Sequence, residues 1–312
     1  MDLVIRRHMA DLGRATRTRV QSWIADGRVS INQRVVTRVA SRVGAGDVVV
    51  VRVPDADVPA EVLPEDRPVV RLFEDDDLLI VDKPAGVVSH PTFRHPTGSL
   101  LNAVLFHARS WPSPQRPSLV GRLDKHTSGA VIVAKSTDAH ARLQRALAQP
   151  ASRKEYLAIV HGPVRPERGD IALRLRRDPD DRRRVVGSAR DGAASLTRFE
   201  RLAVHDAPPL ALLRCELLTG RMHQIRVHLS ASGWPIVGDR KYGRATVAQS
   251  ADSELAADSE IAEAVTTLER QALHAWRVSF IHPFTGEHIS VTAPLPQDLD
   301  DIVEKCDWNL TI

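Results

Sequence analysis

The chain has 312 residues, of which 43% are hydrophobic and 26% are charged. This length allows two domains, and these proportions are typical of a folded globular protein, so a disordered chain and a coiled coil are excluded. No apolar run reaches the roughly 18 residues of a membrane span, and residues 1–7 lack the pattern of a signal peptide, so we expect a cytoplasmic protein. The only cysteines are Cys215 and Cys306, too few for a disulfide framework or a thiolate zinc site.

The positive charge is unevenly distributed along the chain. The formal net charge is +4, and only six of the 43 Lys+Arg residues are lysine, which leaves 37 arginines. Arginine suits phosphate binding, although an arginine-rich proteome produces the same bias. Residues 1–53 hold ten arginines against four aspartates, a local charge of +6, whereas residues 245–271 hold six acidic residues and one arginine. This asymmetry predicts a module that binds a polyanion near the N-terminus.

The first elements form a short series of helix, hairpin and strand. Apolar residues share one helical face over residues 16–26, and Gly27 is placed to end that helix. Alternating residues 29–31 predict a strand, residues 32–33 a turn, and residues 48–53 a further strand.

This series resembles the S4 RNA-binding domain, in the runs T-R-T-R-V-Q-S-W-I-A-D-G-R-V-S-I-N and G-D-V-V-V-V. It departs at Gln33, where the family usually has Gly, and in residues 3–12, whose helical pattern is faint. The resemblance implies RNA binding through five arginines: Arg14, Arg17, Arg19, Arg28 and Arg34. An ordinary small α+β domain with a solvated basic face remains the alternative.

Four prolines among acidic residues predict an extended linker at residues 54–69. The chain is thereby divided into an S4-like domain at residues 1–53, the linker, a larger domain at residues 70–298 and a C-terminal tail at residues 299–312.

The larger domain shows several strand patterns and fewer helices. Strands are predicted at residues 78–81, 130–134, 156–160, 210–217, 225–229 and 276–281, and helices at residues 99–107 and 138–147. Because strands and helices do not strictly alternate, we expect an α+β domain with a mixed sheet. Residues 245–271 are expected to form a surface insertion, part loop and part amphipathic helix.

The loop G-R-L-D-K-H-T-S-G at residues 121–129 directly precedes a buried strand. Asp124 lies between Arg122 and Lys125, which favour an ionised carboxylate that can act as nucleophile, base or ion-pair partner. An Asp that caps its own turn is the alternative. A hydrolytic triad with Ser128 and His126 is disfavoured, because triad members usually come from separate segments and no Gly-x-Ser-x-Gly motif is present.

A second candidate segment spans residues 218–229. If residues 224–229 form a strand, Gln224, Arg226 and His228 share one face, and the arginine could pair with Asp124. His223 and His228 would lie on opposite faces, so a shared metal is not expected.

Tyr156 is one of only two tyrosines in the chain. At the start of a strand it is a candidate platform for stacking a base. A core aromatic with a satisfied hydroxyl is an equal alternative.

Together these segments resemble one family. The loop at residues 121–129 is similar to the H-R-L-D-x-x-T-S-G signature of RluA-type pseudouridine synthases. Five further segments follow the family's order over about residues 70–295: D-K-P-A-G-V-V-S-H-P, K-E-Y-L-A-I-V-H-G, L-T-G-R-M-H-Q-I-R-V-H-L, P-I-V-G-D-R-K-Y-G and L-H-A-W-R-V-S-F-I-H-P-F-T-G-E. The departures are Gly121 for the usual His, Lys125-His126 for a pair such as Arg-Asp, and the acidic segment before Leu273.

The resemblance implies an α+β fold, in which an S4-like (αL-type) domain precedes a catalytic domain with a mixed, mainly antiparallel sheet flanked by helices. It implies an isomerase that turns uridine in RNA into its C-glycoside, with no cofactor and no metal. Asp124 would attack the ribose C1′ or uracil C6, or abstract the C2′ proton, and Arg226 would be its ion-pair partner. Tyr156 would stack on the uracil and is a candidate for removing the C5 proton.

The implied substrate contacts include Arg122, which would enter the RNA stack in place of the flipped nucleotide. The full expected substrate-binding set is Arg122, Leu123, Thr127, Gly129, Arg221, His223 and Gln224.

The expected partner is structured RNA bound by a monomer, with no membrane contact. The N-terminal S4-like module resembles that of the enzymes for large-subunit ribosomal RNA (rRNA), so rRNA is favoured over transfer RNA (tRNA). Two alternatives remain: a catalytically silent RNA-binding or ribosome-assembly protein on the same fold, and a hydrolase or nuclease that uses Asp124 with nearby histidines.

Overall fold

The computed structural model describes residues 2, 5, 17–44, 46–54, 62–92, 95–112, 115–181, 183–188, 190–243 and 260–308. The chain divides into two compact units, Met1–Val62 and Leu63–Ile312. Among the described residues, no helix combines the length and the apolar character that crossing a membrane requires.

In the part of the N-terminal unit from residue 17 onward, the structure shows a helix packed on a three-stranded sheet. Its elements are α1 (Arg17–Ala25), β1 (Val29–Ile31), β2 (Arg34–Val36) and β3 (Val49–Val51). The antiparallel order is β2-β1-β3, and its core includes Ile5, Val20, Trp23, Ile24 and Val29. The predicted helix, hairpin and strand are confirmed, whereas the faint helix at residues 3–12 lies, apart from Ile5, outside the described residues.

The β1–β2 turn uses two non-glycine residues in the left-handed region. Asn32 has φ +47° and Gln33 has φ +70°. A positive φ costs free energy in a residue with a Cβ. The Asn32 side chain offsets that cost, because its Oδ1 accepts the Val48 N–H at 2.9 Å and its Nδ2 donates to Asp47 at 2.9 Å. Gln33 is exposed at the turn, so its backbone conformation is the less compensated of the two.

Replacing Gln33 with Gly should stabilise the N-terminal unit. Glycine adopts positive φ without a Cβ clash, and its larger unfolded entropy cancels part of that gain, so the free energy of unfolding should rise by about 0.5–1 kcal/mol. Native-state hydrogen exchange at the β1–β2 amides measures the change. Asn32→Gly is the matched control: it relieves the same φ but loses both side-chain bonds, and should destabilise the hairpin by about 1 kcal/mol. A gain for both variants would contradict this account of the turn.

The larger unit is built on one sheet with helices beside it. Its strands are β4 (Val70–Glu74), β5 (Leu78–Lys83), β6 (Ser118–Leu119), β7 (Ser128–Ala134), β8 (Arg153–His161), β9 (Arg168–Arg177), β10 (Val185–Ser188), β11 (Ala193–His205), β12 (Leu210–Leu217), β13 (Leu273–Ile281) and β14 (His288–Thr292). Its helices are α2 (Leu100–His107), followed by the 3-10 turn Ala108–Ser110, then α3 (Thr137–Ala146), α4 (Gln224–Ala231), α5 (Glu260–Thr267) and α6 (Gln297–Lys305).

The eleven strands run in the order β10-β9-β11-β12-β8-β13-β7-β5-β4, with β14 paired to β13 and β6 paired to β7. The β7–β13 pair is parallel and the other pairs of this sheet are antiparallel. The predicted α+β class with a mixed, mainly antiparallel sheet is therefore confirmed.

The central strands are apolar on both faces. Residues 78–81 of β5 and residues 157–160 of β8 are buried without interruption. A strand covered on both faces needs no polar alternation, which explains why short continuous apolar runs predicted these strands correctly.

The predicted strand at residues 225–229 is wrong, because these residues lie in helix α4. All six residues from Gln224 to Leu229 are buried. A helix buried all round shows no polar face, so its 3.6-residue period is invisible in the sequence. Polar and apolar residues alternate from Gln224 to Leu229, which is the period of a strand, so the sequence predicts a strand here.

Two predicted boundaries also differ. Residues 63–69, assigned to the linker, belong to the larger unit: Leu63 O accepts from Asn102 Nδ2 at 2.7 Å, and both Glu65 carboxylate oxygens accept from Gly98 N. Residues 299–308, predicted as a tail, are not one, because α6 and the residues just after it pack five apolar side chains into the core: Leu299, Ile302, Val303, Cys306 and Trp308.

The predicted surface insertion at residues 245–271 is only partly visible. Residues 244–259 lie outside the described residues, and α5 forms the predicted amphipathic helix. The last residues of the predicted insertion are not on the surface, because Arg270 and Gln271 are buried.

Glu74 joins the edge strand β4 to the sheet through a partly buried charge cluster. Its carboxylate accepts from Lys135 Nζ at 3.0 Å, from Trp111 Nε1 at 2.7 Å and from Arg71 Nη1 at 3.1 Å. Burial by itself raises the pKa of Glu74, but hydrogen bonds and charges from Lys135, Arg71 and Trp111 outweigh it and lower the pKa to about 2.

The depressed pKa of Glu74 makes a pH prediction for the larger unit. A lowered folded-state pKa means that the stabilisation is present above pH 4.5 and is lost as the pH falls toward about 2. The amount is about 1–3 kcal/mol, because solvent partly screens the cluster. Urea unfolding of the wild type and of Glu74→Gln between pH 2 and 7 measures it. The variant should be the less stable at neutral pH, and the two should converge at low pH; parallel pH curves would refute the assignment.

Candidate active site

A cleft of about 320 Å³ opens in the larger unit. Its walls come from the loop at residues 120–127, from β7, β8 and β13, and from residues 220–226 at the start of α4. The cleft is lined by both of the principal predicted segments, residues 121–129 and 218–229.

The loop that carries Asp124 is fixed by side chains from the segment at residues 82–91. Ser89 Oγ donates to Leu123 O at 2.9 Å and accepts the Leu123 N–H at 3.1 Å. Asp124 O accepts the Thr127 N–H at 3.1 Å and closes the turn. Two bonds to the neighbouring backbone therefore set the place from which the Asp124 side chain leaves the loop.

Lys83 is fully buried and contacts the backbone of the same loop. Its Nζ donates to Pro84 O and Val87 O at 2.8 Å and to Lys125 O at 3.2 Å. Burial, together with the Arg270 charge, outweighs the acidic groups nearby and lowers the pKa of Lys83 to about 7. The Lys83 amine thus links its own turn to the Asp124 loop through three backbone carbonyls.

Residues 127–129 connect the loop to the core. Thr127 is buried, and its hydroxyl accepts from Gln271 Nε2 at 3.1 Å. Ser128 Oγ bonds to His274 Nδ1 at 2.9 Å and not to His126, so the described contacts argue against a Ser128/His126/Asp124 triad.

Gly129, expected to contact substrate, does not line the cleft. It has φ +111°, and a Cβ there would lie 2.2 Å from Ala275 O. The glycine is required by the close β7–β13 approach, a packing role that the sequence analysis did not predict.

Asp124 and Arg226 meet in the cleft, as the resemblance implied. Arg226 Nη1 donates to Asp124 Oδ2 at 2.8 Å. Arg226 in turn is held in a fork by Asp239, with Nε to Oδ2 at 2.7 Å and Nη2 to Oδ1 at 2.8 Å.

This arrangement keeps both groups of the fork charged. Burial by itself lowers the pKa of Arg226, but Asp239 and Asp124 reverse the effect and raise it. Burial likewise acts to raise the pKa of Asp239, but hydrogen bonds and charge from Arg226 lower it overall. Arg226 is therefore a fixed cation beside the Asp124 carboxylate, which is about one-quarter exposed to the cleft.

His223 approaches the same carboxylate oxygen. Its Nε2 lies 3.7 Å from Asp124 Oδ2, and its Nδ1 lies 2.8 Å from the Tyr242 hydroxyl. The Tyr242 oxygen accepts the Val185 N–H at 2.9 Å. Burial lowers the pKa of His223 and favours the neutral ring.

Tyr156 lies on β8 and lines the cleft with its ring packed against the core. Burial, with a smaller contribution from the Asp124 charge, raises the pKa of its hydroxyl. Tyr156 is therefore both part of the core edge and a wall of the cleft.

The remaining predicted residues divide by exposure. Arg122 and Arg221 are exposed at the cleft, and Leu123 is half-buried there. Gln224 lines the cleft, but its amide is fully used by the protein: Oε1 accepts from Thr219 Oγ1 and Arg221 N, and Nε2 donates to Leu196 O and Thr197 Oγ1. Gln224 therefore braces the turn before α4, and no donor or acceptor is left for substrate.

The five S4 arginines lie in the other unit. Arg17, Arg28 and Arg34 are exposed and Arg19 is half-buried, whereas Arg14 lies outside the described residues. Arg17 also pairs with Asp2 at 3.1 Å.

Sequence reasoning missed Asp239, Tyr242, Lys83 and Ser89 as parts of the site. All four lie inside segments that carried the resemblance. The available signal was charge: Lys83 and Asp239 come just after the apolar runs at residues 78–81 and 235–237, and a charged side chain at the end of a buried segment needs a partner. No spacing rule states which partner that is.

Among the described residues, one group of potential metal ligands converges outside the cleft: Asp75, Asp77 and His282. His282 Nδ1 accepts N–H bonds from Phe284 and Thr285, so the proton of the neutral ring lies on Nε2, 3.2 Å from Asp75 Oδ2. A metal at Nε2 would have to displace that proton, so the group fits a contact between two turns better than an ion site.

The sequence matches two family models. Residues 77–231 match the model described as RNA pseudouridylate synthase, and residues 9–49 match the S4 domain. The first range contains Asp124, Tyr156 and Arg226, and the second contains Arg14, Arg17, Arg19, Arg28 and Arg34.

Several curated proteins are similar over nearly the whole chain. The chain is 36% identical to "Uncharacterized RNA pseudouridine synthase YlyB" of Bacillus subtilis, over 93% of this chain and 89% of that protein. It is 37% identical to "Ribosomal large subunit pseudouridine synthase D" of Nitrosomonas europaea, covering 93% and 80%. The protein of the same name from Vibrio vulnificus is 36% identical, covering 97% and 90%.

Two solved human structures share the fold. RNA Pseudouridylate Synthase Domain Containing 4 superposes with a TM-score of 0.58 at 21% identity, covering 76% of this chain and 93% of that one. RNA Pseudouridylate Synthase Domain Containing 1 gives 0.54 at 23% identity, covering 80% and 97%.

An S4 domain followed by this sheet and cleft defines an RNA-modifying isomerase. The chain belongs to the RNA pseudouridine synthase family, in its RluA-type branch with an N-terminal S4 domain.

Proposed function

We propose that this protein isomerises specific uridines in structured large-subunit rRNA, with Asp124 as the reacting group and without a cofactor. The observation that carries the proposal is the Asp124 carboxylate, open to the cleft and bound through Oδ2 to Arg226 at 2.8 Å. Asp239 fixes that arginine in turn, so the carboxylate oxygens have a defined direction before any substrate arrives.

The reaction is balanced without an external reagent. The N1–C1′ bond breaks, the uracil turns, and a C5–C1′ bond forms, while C5 loses a proton and N1 gains one. Attack by Asp124 at C1′, attack at C6 and abstraction of the C2′ proton all require the ionised carboxylate. The Arg226 cation, with Nη1 2.8 Å from Asp124 Oδ2, supplies the counter-charge for that form.

Two further residues act on the nucleotide in this proposal. Tyr156, on the cleft wall, stacks on the uracil and is the candidate group for taking the C5 proton. Arg122, exposed at the cleft, enters the RNA stack and offsets part of the few kcal/mol that unstacking costs.

The S4 arginines supply phosphate contacts, so RNA affinity should fall steeply with salt. Large-subunit rRNA is the favoured substrate because relatives that cover nearly the whole chain are named for it. The proposal keeps two expectations from the sequence, namely that the protein is a monomer and that it acts in the cytoplasm.

Site mapping tests the proposal. Unmodified ribosomal and transfer RNA are incubated with wild-type and Asp124→Ala protein, and carbodiimide-dependent reverse-transcription stops are located. Stops in large-subunit rRNA that are absent with the variant are the expected result. Stops in tRNA alone would overturn the substrate assignment. Intact binding of either RNA without stops would favour the catalytically silent binding protein, and shortened RNA would favour a hydrolase.

A further inference from the structure

We propose that His223 is a positioning residue for Asp124: Tyr242 holds its ring as the Nε2–H tautomer, and this N–H donates to Asp124 Oδ2 in the reacting complex, leaving Oδ1 to the nucleotide. The inference rests on the role proposed above for Asp124. It goes beyond that role, because the sequence suggested only that His223 contacts substrate.

The tautomer follows from the donor and acceptor count at Tyr242. A phenol has one proton to donate. The Tyr242 oxygen accepts the Val185 N–H at 2.9 Å. Among the described residues, the one acceptor within hydrogen-bond distance of its own proton is His223 Nδ1 at 2.8 Å. An Nδ1 that accepts carries no proton, and the neutral imidazole therefore has its proton on Nε2, the nitrogen that faces Asp124.

The same network disfavours a charged His223. If both nitrogens of His223 were protonated, Nδ1–H would point at the Tyr242 hydroxyl, whose own proton already lies between the two atoms. Burial also lowers the pKa of His223 and raises that of Tyr242, so both groups keep the required protonation at neutral pH.

The backbone conformation of His223 fixes its position beside Arg226. His223 has φ +55°, a left-handed conformation that is costly for a residue with a Cβ. Its carbonyl accepts the Val227 N–H at 3.0 Å and so starts the helix that carries Arg226. Strain of this kind persists where the surroundings impose it, and here it brings the imidazole and the guanidinium to one carboxylate.

Tyr242 supports both partners of Asp124 at once. Its ring contacts His223 edge-on, with centroids 5.6 Å apart, and the Arg226 guanidinium carbon lies 5.0 Å from its centroid. Its backbone N–H donates to Asp239 Oδ1 at 3.1 Å, which links it to the fork that holds Arg226.

Both contacts fall on the same oxygen of Asp124. Arg226 Nη1 and His223 Nε2 lie 2.8 Å and 3.7 Å from Oδ2. The longer distance exceeds a hydrogen bond in the free protein, and such catalytic contacts commonly shorten when substrate fills the site. A second donor on Oδ2 would then stop the carboxylate from rotating and present Oδ1 to the ribose or base.

Four variants test the proposal in single-turnover assays on the rRNA substrate: His223→Ala, His223→Gln, Tyr242→Phe, and the double variant His223→Ala/Tyr242→Phe. His223→Ala should slow isomerisation about 10- to 100-fold. Its RNA dissociation constant should stay within about twofold, since phosphate contacts dominate affinity. His223→Gln places an amide N–H near the Nε2 position and should recover activity to within about fivefold of wild type. His288→Ala, at an exposed histidine of β14, is the matched control.

The double variant separates positioning from simple destabilisation. Because Tyr242 is argued to act through His223, adding Tyr242→Phe to His223→Ala should slow the reaction by no more than about twofold. Tyr242→Phe alone should slow it about three- to tenfold. Additive losses, or a loss of RNA affinity that accounts for the slower rate, would overturn the proposal.

Nitrogen-15 spectra of histidine-labelled protein give a readout that needs no activity. The His223 resonance, assigned by comparison with His223→Gln, should report the Nε2–H tautomer in wild type and a mixture of tautomers in Tyr242→Phe. An Nδ1–H or doubly protonated ring at pH 7.5 would refute the inference. If wild-type protein makes no pseudouridine, or if Asp124→Asn remains active, the proposed function fails, and this outcome is distinct from an active enzyme that is indifferent to His223.

Discussion

Asp124→Asn should reduce isomerisation by more than about 10⁴-fold, as expected when a group that reacts directly with substrate is removed. The amide has nearly the shape of the carboxylate but lacks its charge and nucleophilicity. Arg226 keeps both bonds to Asp239 in this variant, so the wall of the cleft should remain in place. Pseudouridine formed in a single turnover, measured by carbodiimide-dependent stops or by release of tritium from C5, gives the rate.

RNA binding separates this loss from unfolding. Affinity should change by less than about threefold, because phosphate contacts, including those of the S4 arginines, are unaffected. Asp206→Asn, at an exposed aspartate of the same unit, is the matched control and should retain full activity. Turnover by Asp124→Asn within tenfold of wild type would show that Asp124 is not the reacting group.

Asp239→Asn should have the second-largest effect, because it leaves a buried cation without its full partner. Asp239 and Arg226 are both buried, and Asp239 also accepts backbone N–H bonds from Lys241 at 2.9 Å and Tyr242 at 3.1 Å. An asparagine turned to accept those bonds would direct its NH2 group at the Arg226 Nε–H. Breaking a buried pair in this way costs about 3–5 kcal/mol, which urea unfolding measures.

A compensating variant distinguishes stability from catalysis. Arg226→Met combined with Asp239→Asn removes the orphaned charge, while the asparagine oxygen still accepts from Lys241 and Tyr242. Most of the lost unfolding free energy should return, since apolar replacement of a buried pair is often neutral. Activity should not return, because Asp124 has lost its cation. A double variant that regains turnover along with stability would show that Arg226 is needed only for folding.

The site shows where sequence reasoning ended. Asp124 could be singled out because its loop combines flanking cations with a following buried strand, and these are local features. The Asp124–Arg226 pair spans 102 positions of the chain. The residues alone indicated only that such a pair was possible, and the family resemblance made it a specific expectation. The contributions of Asp239 and Tyr242 depend on which buried groups face them, and nothing in their own segments encodes that.

The sequence by itself determined the elements that can be recognised from the residue types of near neighbours. These include the apolar strands β5 and β8, the Gly27 end of α1, the turn at Asn32 and Gln33, and the basic N-terminal module. Each depends on neighbours within a few residues, so a linear pattern is sufficient to predict it.

Tertiary structure alone decided the remainder. Residues 224–229 alternate between polar and apolar types as a strand does, and only the fold buries both types in helix α4. The sequence likewise predicts a tail where the core covers the apolar face of α6. The protonation pattern around Asp124 was decided in the same way. Desolvation and distant charges, brought together only by folding, set which nitrogen of His223 carries the proton and keep Arg226 and Asp239 ionised.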